Sequence, residues 1–510
     1  MVSAAAEPAP LTGRKLLLAG FAIALANFIV VLDITIANVS VPHIAGGLAI
    51  SPTQGTWVIT SYAVADAISV ILSGWLANRF GAVRLFIIAL TGFGFFSMMC
   101  GLSSSLTMLV IFRICQGLVG GPLMPLSQTL LLRVFSRERA PLATAVWAMT
   151  TVCAPIAGPI LGGWISDGWS WPWIFFINLP IVVLCIFAAM RMLKPFETPI
   201  IKAPIDRIGL LLLILWVGAF QIMLDTGREN DWFGSASVVA LGIVAAIGFV
   251  AFLIWELTAA NPVVDVRIFK HRTFAVATAA VAIGYGAFFA GIVMTPLWLQ
   301  QVVGYTATEA GYVTAFAGMF AVVMAPIAAR LIGKVDLRAI ACFGVVWLGG
   351  VSFLRVEWTL DVGFWTLAFP QIMQGIGMPF FFIGMTTLAM SSVATAEITS
   401  AAGIMAFMRT LSGAIGTALA TTAWDMTSRV SRSDMVSRLN DPTGALAKMQ
   451  AGGMTSDQAR GALDRMVEVQ ASTIGASHVY LFACAAFAIA AMLVWLAPKP
   501  VNVTGPADAH

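Results

Sequence analysis

Charged residues are scarce in this sequence. Asp, Glu, Lys and Arg together make up only 10% of the 510 residues, whereas 59% are hydrophobic and the mean hydropathy is +0.92. This composition excludes an ordinary soluble globular domain. Apolar runs of about 18 to 24 residues recur, each long enough to cross a hydrocarbon core of about 30 Å as a helix, whereas an outer-membrane barrel would show shorter alternating segments. The sequence therefore predicts an all-α polytopic membrane protein.

Motifs for metal binding, nucleotide binding and catalysis are absent as well. The six cysteines lie in or at the ends of apolar runs, no C-x-x-C pair occurs, and the four histidines lack ligand spacing, so we expect no disulfide, metal site or other cofactor. No G-x-x-x-x-G-K-[ST] motif is present, so the chain is not expected to use ATP itself. A multispan membrane enzyme is an alternative, but the loops offer no cluster of acids, histidines or a nucleophile beside a base. No nucleic-acid partner is expected.

The apolar runs predict fourteen membrane spans. They cover residues 15–36, 55–76, 83–102, 106–130, 141–164, 172–192, 206–224, 236–257, 273–297, 308–331, 338–355, 363–389, 399–423 and 476–497. The first run lacks a small-residue cleavage site, so we expect it to be retained as a helix. With the N-terminus in the cytoplasm, most of the 28 Lys and Arg residues fall in cytoplasmic segments, and the short outer loops contain only Arg228 and Arg355. This bias predicts cytoplasmic positions for both termini.

The two halves of the sequence repeat each other. FRICQG at 112–117 aligns with PQIMQG at 370–375, an offset of 258 residues, and a second echo aligns Gly158 with Gly413. We therefore predict a six-helix half at 1–192, two additional spans at 193–258, and a second six-helix half at 259–510 that contains a long periplasmic loop at 425–477. Parallel halves around a central cavity are typical of transporters that bind substrate near the midplane and rock.

Asp33 places a carboxylate at the end of the first apolar run. An acid within the membrane costs about 2.5 to 3.5 kcal/mol to insert, so it needs a reason. One reading is that Asp33 caps the helix end, since Thr35 and Asn38 follow and Pro42 is expected to stop the helix. The other is a carboxylate that carries a proton or binds a cation in a polar cavity.

Arg113 lies in the fourth span at a depth similar to that of Asp33. It is seven residues from the start of the span at Leu106, or about 10 Å along a helix. We expect opposite charges at one depth to share the cavity, because each lowers the desolvation cost of the other. A proton-coupling site needs the Asp33 carboxyl poised between its charged and neutral forms. The alternative is a static structural ion pair.

Two further charges lie deep in predicted spans. Asp66 is about eleven residues from the start of the second span, near the midplane, with no cap to explain it, so a functional role is favoured over a tolerated polar residue. Arg409 is similarly deep in span thirteen and is the only charge well inside the second half. We predict that Asp66 joins Asp33 and Arg113 in proton coupling and that Arg409 faces the cavity.

The fifth span contains APIAGPILGG, residues 154–163. Gly158 and Gly162 form a small-xxx-small face, and the prolines at 155 and 159 remove backbone donors. Tight helix packing explains this pattern, and so does a bend that seals or switches the cavity; the two readings are compatible.

These features together resemble the major facilitator superfamily, and within it the fourteen-span drug:proton antiporters of the EmrB/QacA kind. LDITIANVSVP is similar to their first-span motif, GWLANRFGAVRL to the loop between spans two and three, LVIFRICQG to the span-four Arg motif, and GPILGG to the antiporter motif of span five. The resemblance assigns the gating loop to Gly74, Arg79, Gly81 and Arg84, and the antiporter motif to Gly158, Pro159, Gly162 and Gly163. Asn78 stands where the loop motif usually has Asp, and Asp66 where an uncharged residue is expected.

The resemblance implies proton-driven export of amphipathic or hydrophobic toxic compounds across a bacterial cytoplasmic membrane. QGTWVITSYAVADAIS and WIFFINLP are closest to the EmrB type, whose members work with a periplasmic EmrA-like adaptor and an outer-membrane channel. Protons, lipid and small-molecule substrates are therefore the other expected partners. Proton-coupled uptake of a nutrient is the alternative on the same fold, and GPILGG disfavours it.

The outer loop at 425–477 is too long to be a mere connection. It contains a stretch that opens at Thr455 and places Ala459, Leu463 and Val467 at helical spacing. An amphipathic helix there needs something to cover its apolar face. The candidates are the periplasmic adaptor and the outer rim of this chain itself.

Overall fold

The computed structural model describes residues 10–55, 57–200, 206–228, 230–260, 262–360, 362–394, 397–438 and 441–499, and no β-strand occurs in these ranges. The long helices are α1 (Gly13–Gly47), α2 (Trp57–Phe80), α3 (Ala82–Gly101), α4 (Leu106–Gly120, continued by Leu123–Val134), α5 (Ala140–Gly168), α6 (Asn178–Met192), α7 (Arg207–Gly227), α8 (Ala236–Thr258), α9 (Arg272–Trp298), α10 (Ala307–Leu331), α11 (Leu337–Leu354), α12 (Phe364–Met390), α13 (Ile398–Ser437) and α14 (Ser456–Leu496).

The described residues contain thirteen helices that are long and apolar enough to cross a membrane. The fourteenth span by position is α5, a helix of 29 residues that contains the shorter apolar stretch Leu142–Thr151. The predicted all-α membrane fold is confirmed. The boundaries at residues 192 and 258 stay predictions; α6 ends at Met192 and α8 at Thr258.

The same helix pairs pack in both halves. α1 packs on α5, α2 on α4 and α3 on α6, and the second half repeats these contacts as α9 on α13, α10 on α12 and α11 on α14. The additional helices α7 and α8 pack on each other, and α7 also contacts α2. The halves meet through α5 with α10 and through α2 with α13. These two seams are where a rocking motion would open the molecule.

The repeated Gln-Gly dipeptides mark the same helix crossing in each half. A Cβ atom on Gly117 would lie 2.6 Å from the carbonyl oxygen of Tyr62, and one on Gly375 would meet the carbonyl oxygen of Ala317. Only glycine lets the backbones of α4 and α2, and of α12 and α10, approach so closely. The sequence repeat therefore has a packing cause.

Helix α1 does not end where the sequence suggested. It continues through Pro42 to Gly47, fourteen residues beyond Asp33. A proline in a membrane helix is tolerated where the structure around it satisfies the freed backbone. Close to this proline, the Ser40 hydroxyl donates to the carbonyl of Ile36 at 2.9 Å and accepts from Ser166 Oγ at 2.9 Å. The reading of Asp33 as a helix cap is therefore wrong.

The description of residues 425–477 as a loop also needs correction, because most of this segment is helical. α13 runs unbroken out of its span to Ser437, a short helix covers Pro442–Ala451, and α14 begins at Ser456, where Thr455 and Gln458 form a capping box. We call residues 425–477 the outer hairpin. At 1.5 Å per residue a helix of about 40 residues is about 60 Å long, twice the hydrocarbon core.

Cross-helix contacts hold the two arms of the outer hairpin together. Arg432 on α13 pairs with Asp464 at 2.5 Å and with Glu468 at 3.0 Å on α14. The indole of Trp424 donates to the carbonyl of Ser472 at 2.8 Å. Ala459, which the sequence placed on an apolar helix face, is buried. Part of that face is thus covered by the hairpin itself.

Substitution of the crossing glycines should destabilise the fold. Gly117→Ala and Gly375→Ala each force a Cβ into a backbone carbonyl, and overpacking of this kind costs about 1 to 3 kcal/mol. The measurement is the melting temperature of the purified protein in detergent. Gly461→Ala in α14 is the control, because nothing lies within 4 Å of its added Cβ; this variant should melt at or slightly above the wild-type temperature, since Ala is the better helix former. Equal melting of all variants would contradict the tight crossing.

Candidate functional site

Asp33 and Arg113 form an ion pair inside the first half. Arg113 Nη1 lies 2.5 Å from Asp33 Oδ2, and the two side chains are 1% and 0% exposed. The carboxylate comes from α1 and the guanidinium from α4. Their contact agrees with the similar membrane depth that the sequence predicted for the two residues. Within the membrane such a pair needs further hydrogen bonds to offset its desolvation.

Neutral side chains complete the site around the carboxylate. Asn178 Nδ2 donates to Asp33 Oδ1 at 2.8 Å, and Gln116 Nε2 donates to the same oxygen at 3.2 Å. Asn178 also donates to Ser97 Oγ at 3.0 Å. α3, α4 and α6 thus all contribute to the surroundings of one α1 carboxylate.

The guanidinium of Arg113 likewise has partners other than the acid. Its Nε donates to the carbonyl of Val58 at 3.1 Å and its Nη1 to Gln116 Oε1 at 2.9 Å. The Tyr62 ring lies against it, with 4.0 Å from Arg113 Cζ to the ring centroid. Each charge of the pair could therefore lose the other and keep neutral partners.

Asp66 lies close to this pair but does not join its hydrogen-bond network. It is 6% exposed on α2, within electrostatic range of Arg113 and Asp33. α4 crosses α2 here, since a Cβ on Gly121 would lie 2.8 Å from the Asp66 carbonyl oxygen. The structure brings Asp66 to the same half and the same crossing as the ion pair; its predicted titration remains a prediction.

The antiporter motif of α5 packs directly on α1 beside Asp33. A Cβ on Gly158 would overlap Thr35 Oγ1, and one on Gly162 would lie 3.0 Å from the Ile36 carbonyl oxygen. Gly163 is buried in the same helix, and the side chain of Pro159 lies outside the described residues. The motif therefore makes close contact between α1 and α5, as the packing interpretation expected.

The gating-loop residues lie in the last two turns of α2 and at the start of α3. Gly74 packs on α13, with 3.2 Å from an added Cβ to Ser400 Cα, and Gly81 has a φ of 87° that suits glycine. Arg79 is half-buried in the last turn of α2. The backbone N–H of Arg84 donates to Glu197 Oε2 at 3.0 Å.

Glu197 caps the start of α3. Its Oε1 accepts from the backbone N–H of Val83 at 2.9 Å, and Thr198 Oγ1 accepts from that of Ala82 at 2.8 Å. The carboxylate thus stabilises the N-terminus of the helix through its free N–H groups and dipole. The sequence lacks the usual loop acid at Asn78, and the structure supplies an acid at this junction from the segment after α6.

Arg409 lies where the two halves meet. It is 2% exposed on α13, and its Nη2 donates to Thr386 Oγ1 of α12 at 2.6 Å. Its Cζ lies 4.8 Å from the centroid of the Trp147 ring, which belongs to α5 of the first half. The predicted cavity charge is thus at a seam between the halves.

A second buried arginine was missed by the sequence analysis. Arg355, assigned there to an outer loop, is 3% exposed at the end of α11 and donates to Gln371 Oε1 at 3.1 Å and to Gln374 Oε1. Gln371 and Gln374 occupy the repeat positions of Arg113 and Gln116, and an added Cβ on Gly291, the repeat position of Asp33, would lie 3.3 Å from Arg355 Nη1.

Sequence reasoning also missed the roles of Gln116 and Asn178. Both stand inside motifs that the sequence analysis quoted, FRICQG and WIFFINLP, and an amide in an otherwise apolar span was the available signal. No group of three or more His, Cys, Asp and Glu side chains is placed to hold a metal ion in the ranges that the structure describes.

Known proteins share this architecture and sequence. The model of the Major Facilitator Superfamily matches residues 23–417. Multidrug export protein EmrB of Escherichia coli K12 is 40% identical over 502 residues, which cover 97% of this chain and 98% of that protein. Fatty acid resistance protein FarB of Neisseria gonorrhoeae is 38% identical over 500 residues, 97% of this chain and 99% of that protein.

The solved structures agree at the level of the fold. A bacterial homologue of the human lysosomal transporter Spinster, solved in an inward-facing and unoccupied conformation, superposes with a TM-score of 0.54 and 13% identity, covering 96% of this chain and all of that one. The chain belongs to the Major Facilitator Superfamily and, within it, to the EmrB-type multidrug export transporters.

Proposed function

We propose that this protein exports amphipathic and hydrophobic toxic compounds from the cytoplasm or inner membrane in exchange for protons. Asp33 is the proton carrier, Arg113 its counter-charge and Asp66 a second titrating or cation-attracting group. The protein works in the bacterial inner membrane with both termini in the cytoplasm. It delivers substrate to a periplasmic adaptor and an outer-membrane channel.

The observation that carries the coupling proposal is the set of neutral partners on both members of the ion pair. When Asp33 takes up a proton, Arg113 keeps Val58, Gln116 and the Tyr62 ring, and the protonated carboxyl keeps Asn178. Both groups therefore keep hydrogen-bond partners in the low-dielectric interior. A buried charge without any partner would cost several kcal/mol. The pair can thus open and close at modest cost.

The packing around Asp33 offers a route from protonation to motion. Thr35, two residues along α1, lies against Gly158 of α5, so a shift of α1 presses directly on that helix. α5 in turn contacts the other half, where an added Cβ on Gly311 of α10 would lie 2.6 Å from Ile160 Cγ1. A change at Asp33 is therefore two close contacts from the seam at which α5 meets α10.

The other seam between the halves is formed by α2 and α13. An added Cβ on Gly403 of α13 would lie 2.8 Å from Ser73 Oγ of α2. Since both seams are in contact, access requires one to part while the other holds. This is the condition for alternating access.

The proton gradient supplies enough energy for export. One charge moving down about 100 mV yields roughly 2.3 kcal/mol, which supports a substrate gradient of about fifty-fold. A one-to-one exchange suffices.

Asp33→Asn should abolish uphill export while the protein still reaches the membrane, because the neutral isostere fits the site but cannot carry a proton. Arg113→Ala should be as damaging, since breaking a buried pair from one side costs about 3 to 5 kcal/mol, and Arg113→Lys should be less damaging if charge alone matters. The measurement is dye efflux from energised cells with and without a protonophore. Asp231→Asn, at an exposed acid with a φ of 56° that asparagine also accepts, is the matched control.

A double variant separates a coupling pair from a static one. Asp33→Asn with Arg113→Gln removes both charges, so no buried charge is left unpaired. We expect it to regain thermal stability and to carry dye downhill in proteoliposomes without regaining uphill export. Uphill export by the double variant would leave only the structural role, and wild-type efflux that survives the protonophore would overturn proton coupling altogether.

Asp66→Asn tests the second acid. Export of neutral compounds should persist, whereas export of cations should weaken or its pH profile should shift, because a fixed or titrating negative charge near the pair is lost. The assay compares a neutral and a cationic dye across a pH series in proteoliposomes. If every substrate keeps the wild-type profile, Asp66 is a tolerated polar residue.

The outer hairpin is the proposed contact for the adaptor. Although its two arms pack on each other, three apolar side chains on the α13 arm remain exposed: Met426, Val430 and Val436. Both arms continue membrane helices without a break, and these three side chains lie past residue 423, where the predicted span ends. Exposed apolar side chains on a fixed projection suit a protein partner.

Deleting residues 430–468 and joining the ends with a short Gly-Ser linker should uncouple the adaptor from transport. Co-purification of the adaptor and export across both membranes should fall, while dye transport in proteoliposomes persists, because Trp424 and Ser472 still tie the arms at their base. Gly461→Ala, which keeps the whole hairpin, is the control. Unchanged co-purification of the deletion variant would place the adaptor contact elsewhere.

A further inference from the structure

Helix α7 lies along the seam between α2 and α13 and contacts both halves of the molecule. The Trp216 ring of α7 meets the Phe407 ring of α13 edge-on, with 5.8 Å between the ring centroids. Two residues further along α7, an added Cβ on Gly218 would lie 3.9 Å from Val64 Cγ1 of α2. Helix α8 packs on α7. The additional pair therefore flanks a seam that has to part if the halves rock.

Polar contacts fasten the end of α7 to α13. Arg228 Nε donates to Asp425 Oδ2 at 2.6 Å, and its Nη2 donates to Asp425 Oδ1 at 3.4 Å. Three residues before Asp425, Thr422 Oγ1 accepts from the Trp232 indole at 3.1 Å. An exposed ion pair by itself stabilises little, but contact of a guanidinium with both oxygens of a carboxylate fixes their relative orientation. We call these contacts the latch.

The loop that carries the latch has an unusual backbone. Asp231 and Trp232 have φ angles of 56° and 47°, although neither is glycine and the left-handed region is uncommon for other residues. Such a conformation persists where the surrounding structure holds it. The Trp232 ring lies against the end of α7, because an added Cβ on Gly227 would be 2.7 Å from its Cε3. The indole is thus held between α7 and its acceptor on α13.

The opposite end of the additional pair is bonded to the chain that enters the second half. Glu256 Oε2, in the last turn of α8, accepts from the backbone N–H of Val264 at 3.1 Å. Arg267 donates to the carbonyl of Ala259 at 2.9 Å. Residues 259–271 lead directly into α9. Both ends of the pair therefore have directional bonds toward the second half.

The contact of α7 with α2 has a different character. It extends over more residues than the contact with α13, but Val64 and Gly218 meet at an ordinary van der Waals distance. The polar contribution from α2 is the Thr60 hydroxyl, which interacts with the Asp225 carboxylate. Packed helices can slide past each other by small shear movements, and apolar surfaces in ordinary contact permit this more readily than an oriented ion pair does.

We propose that α7 and α8 form a cover for the α2–α13 seam that stays fastened to the second half and slides over α2 when the halves part. This inference rests on the alternating access of the proposed function and not on its proton coupling. When α2 moves away from α13, the latch keeps α7 beside α13. The seam then remains flanked by protein instead of opening directly to lipid.

Two engineered links test which half the cover follows, each made by a short bis-methanethiosulfonate reagent between two introduced cysteines. Val64→Cys with Gly218→Cys joins α7 to α2, and Arg228→Cys with Asp425→Cys joins α7 to α13 in place of the ion pair. The α2 link should lower downhill dye flux in proteoliposomes at least about tenfold, because α2 cannot then leave a helix that the latch holds on α13. The α13 link should keep the flux within about twofold of the unlinked protein, because it fixes a contact that does not part.

Release of the latch should relieve the block. In the α2-linked protein, Asp425→Asn with Trp232→Phe removes the ion pair and the indole donor, and the flux should return to within about threefold of the unlinked value because the cover can then follow α2. In the Trp232→Phe background, Arg228→Asp with Asp425→Arg forms the ion pair again with its charges exchanged. This exchange should restore the block, which loss of packing alone would not predict.

The control link joins Arg432→Cys to Asp464→Cys, because these residues pair across the two arms of the outer hairpin within the second half. It should leave the flux unchanged. A reductant cleaves each link, so recovery of the flux after reduction shows that the α2-linked protein is folded. Wild-type protein treated with the reagent accounts for the six native cysteines.

Deuterium uptake at residues 398–405 reports parting of the seam without transport, since Ser400 and Gly403 contact α2 there. The α2 link should slow this uptake, and the α13 link should leave it unchanged. A block by the α13 link, unhindered flux and uptake with the α2 link, or a block that persists after release of the latch would each overturn the proposal.

The two readouts separate this inference from the export function. If the wild type carries no dye but uptake responds to the links as expected, the export function fails and the cover stands. If dye export is sensitive to a protonophore but uptake and flux ignore the α2 link, the cover fails and the export function stands.

Discussion

The structure of the first half is organised around the burial of one carboxylate. Asp33 is inaccessible to solvent in a helix of 35 residues, and it is stable there because Arg113, Gln116 and Asn178 all donate to it. These donors come from α4 and α6, so the two helices must cross α1 at one level. Isolated insertion of such an acid would cost about 2.5 to 3.5 kcal/mol. A helix arrangement that separated the charged Asp33 carboxylate from these donors would be destabilised by that amount. The preferred positions of the helices therefore depend on whether Asp33 is charged.

Close glycine contacts make that link mechanical. Gly117, Gly121 and Gly158 have no side chain of their own, so the backbone at each lies directly against the neighbouring helix. A helix held this tightly cannot shift without moving its partner, since protein interiors are densely packed and respond by discrete rearrangement. In the proposed mechanism the ion pair supplies the change in charge, and the glycine contacts transmit it to the neighbouring helices.

Much of this architecture could be predicted from the sequence, and the errors share a cause. The apolar runs predicted the membrane spans, and the Gln-Gly repeat predicted the duplicated halves. The similar depth of Asp33 and Arg113 predicted that the two residues form a pair. Hydropathy falls where a chain leaves lipid, but a helix ends only where its backbone hydrogen bonds end. α1 therefore passes Pro42, α13 runs to Ser437, and Arg355 is buried although it follows an apolar run. Glu197 was unpredictable because it caps α3 from more than a hundred residues away.

The duplication did not preserve the chemistry of the site. The first half has an acid on α1 facing an arginine on α4, whereas in the second half the acid position is Gly291, the arginine position is Gln371, and the space above Gly291 holds the guanidinium of Arg355 from α11. A guanidinium stays protonated in proteins and cannot exchange protons as a carboxyl can. The second half thus retains the geometry of a polar crossing but holds a fixed charge. The buried acids Asp33 and Asp66 belong to the first half. The two buried arginines that form no ion pair within the described residues, Arg355 and Arg409, belong to the second half. Under the proposed function, this division assigns proton exchange to one half and leaves the other with fixed positive charges, so that protonation would change the balance of charge across the seam at which the halves meet.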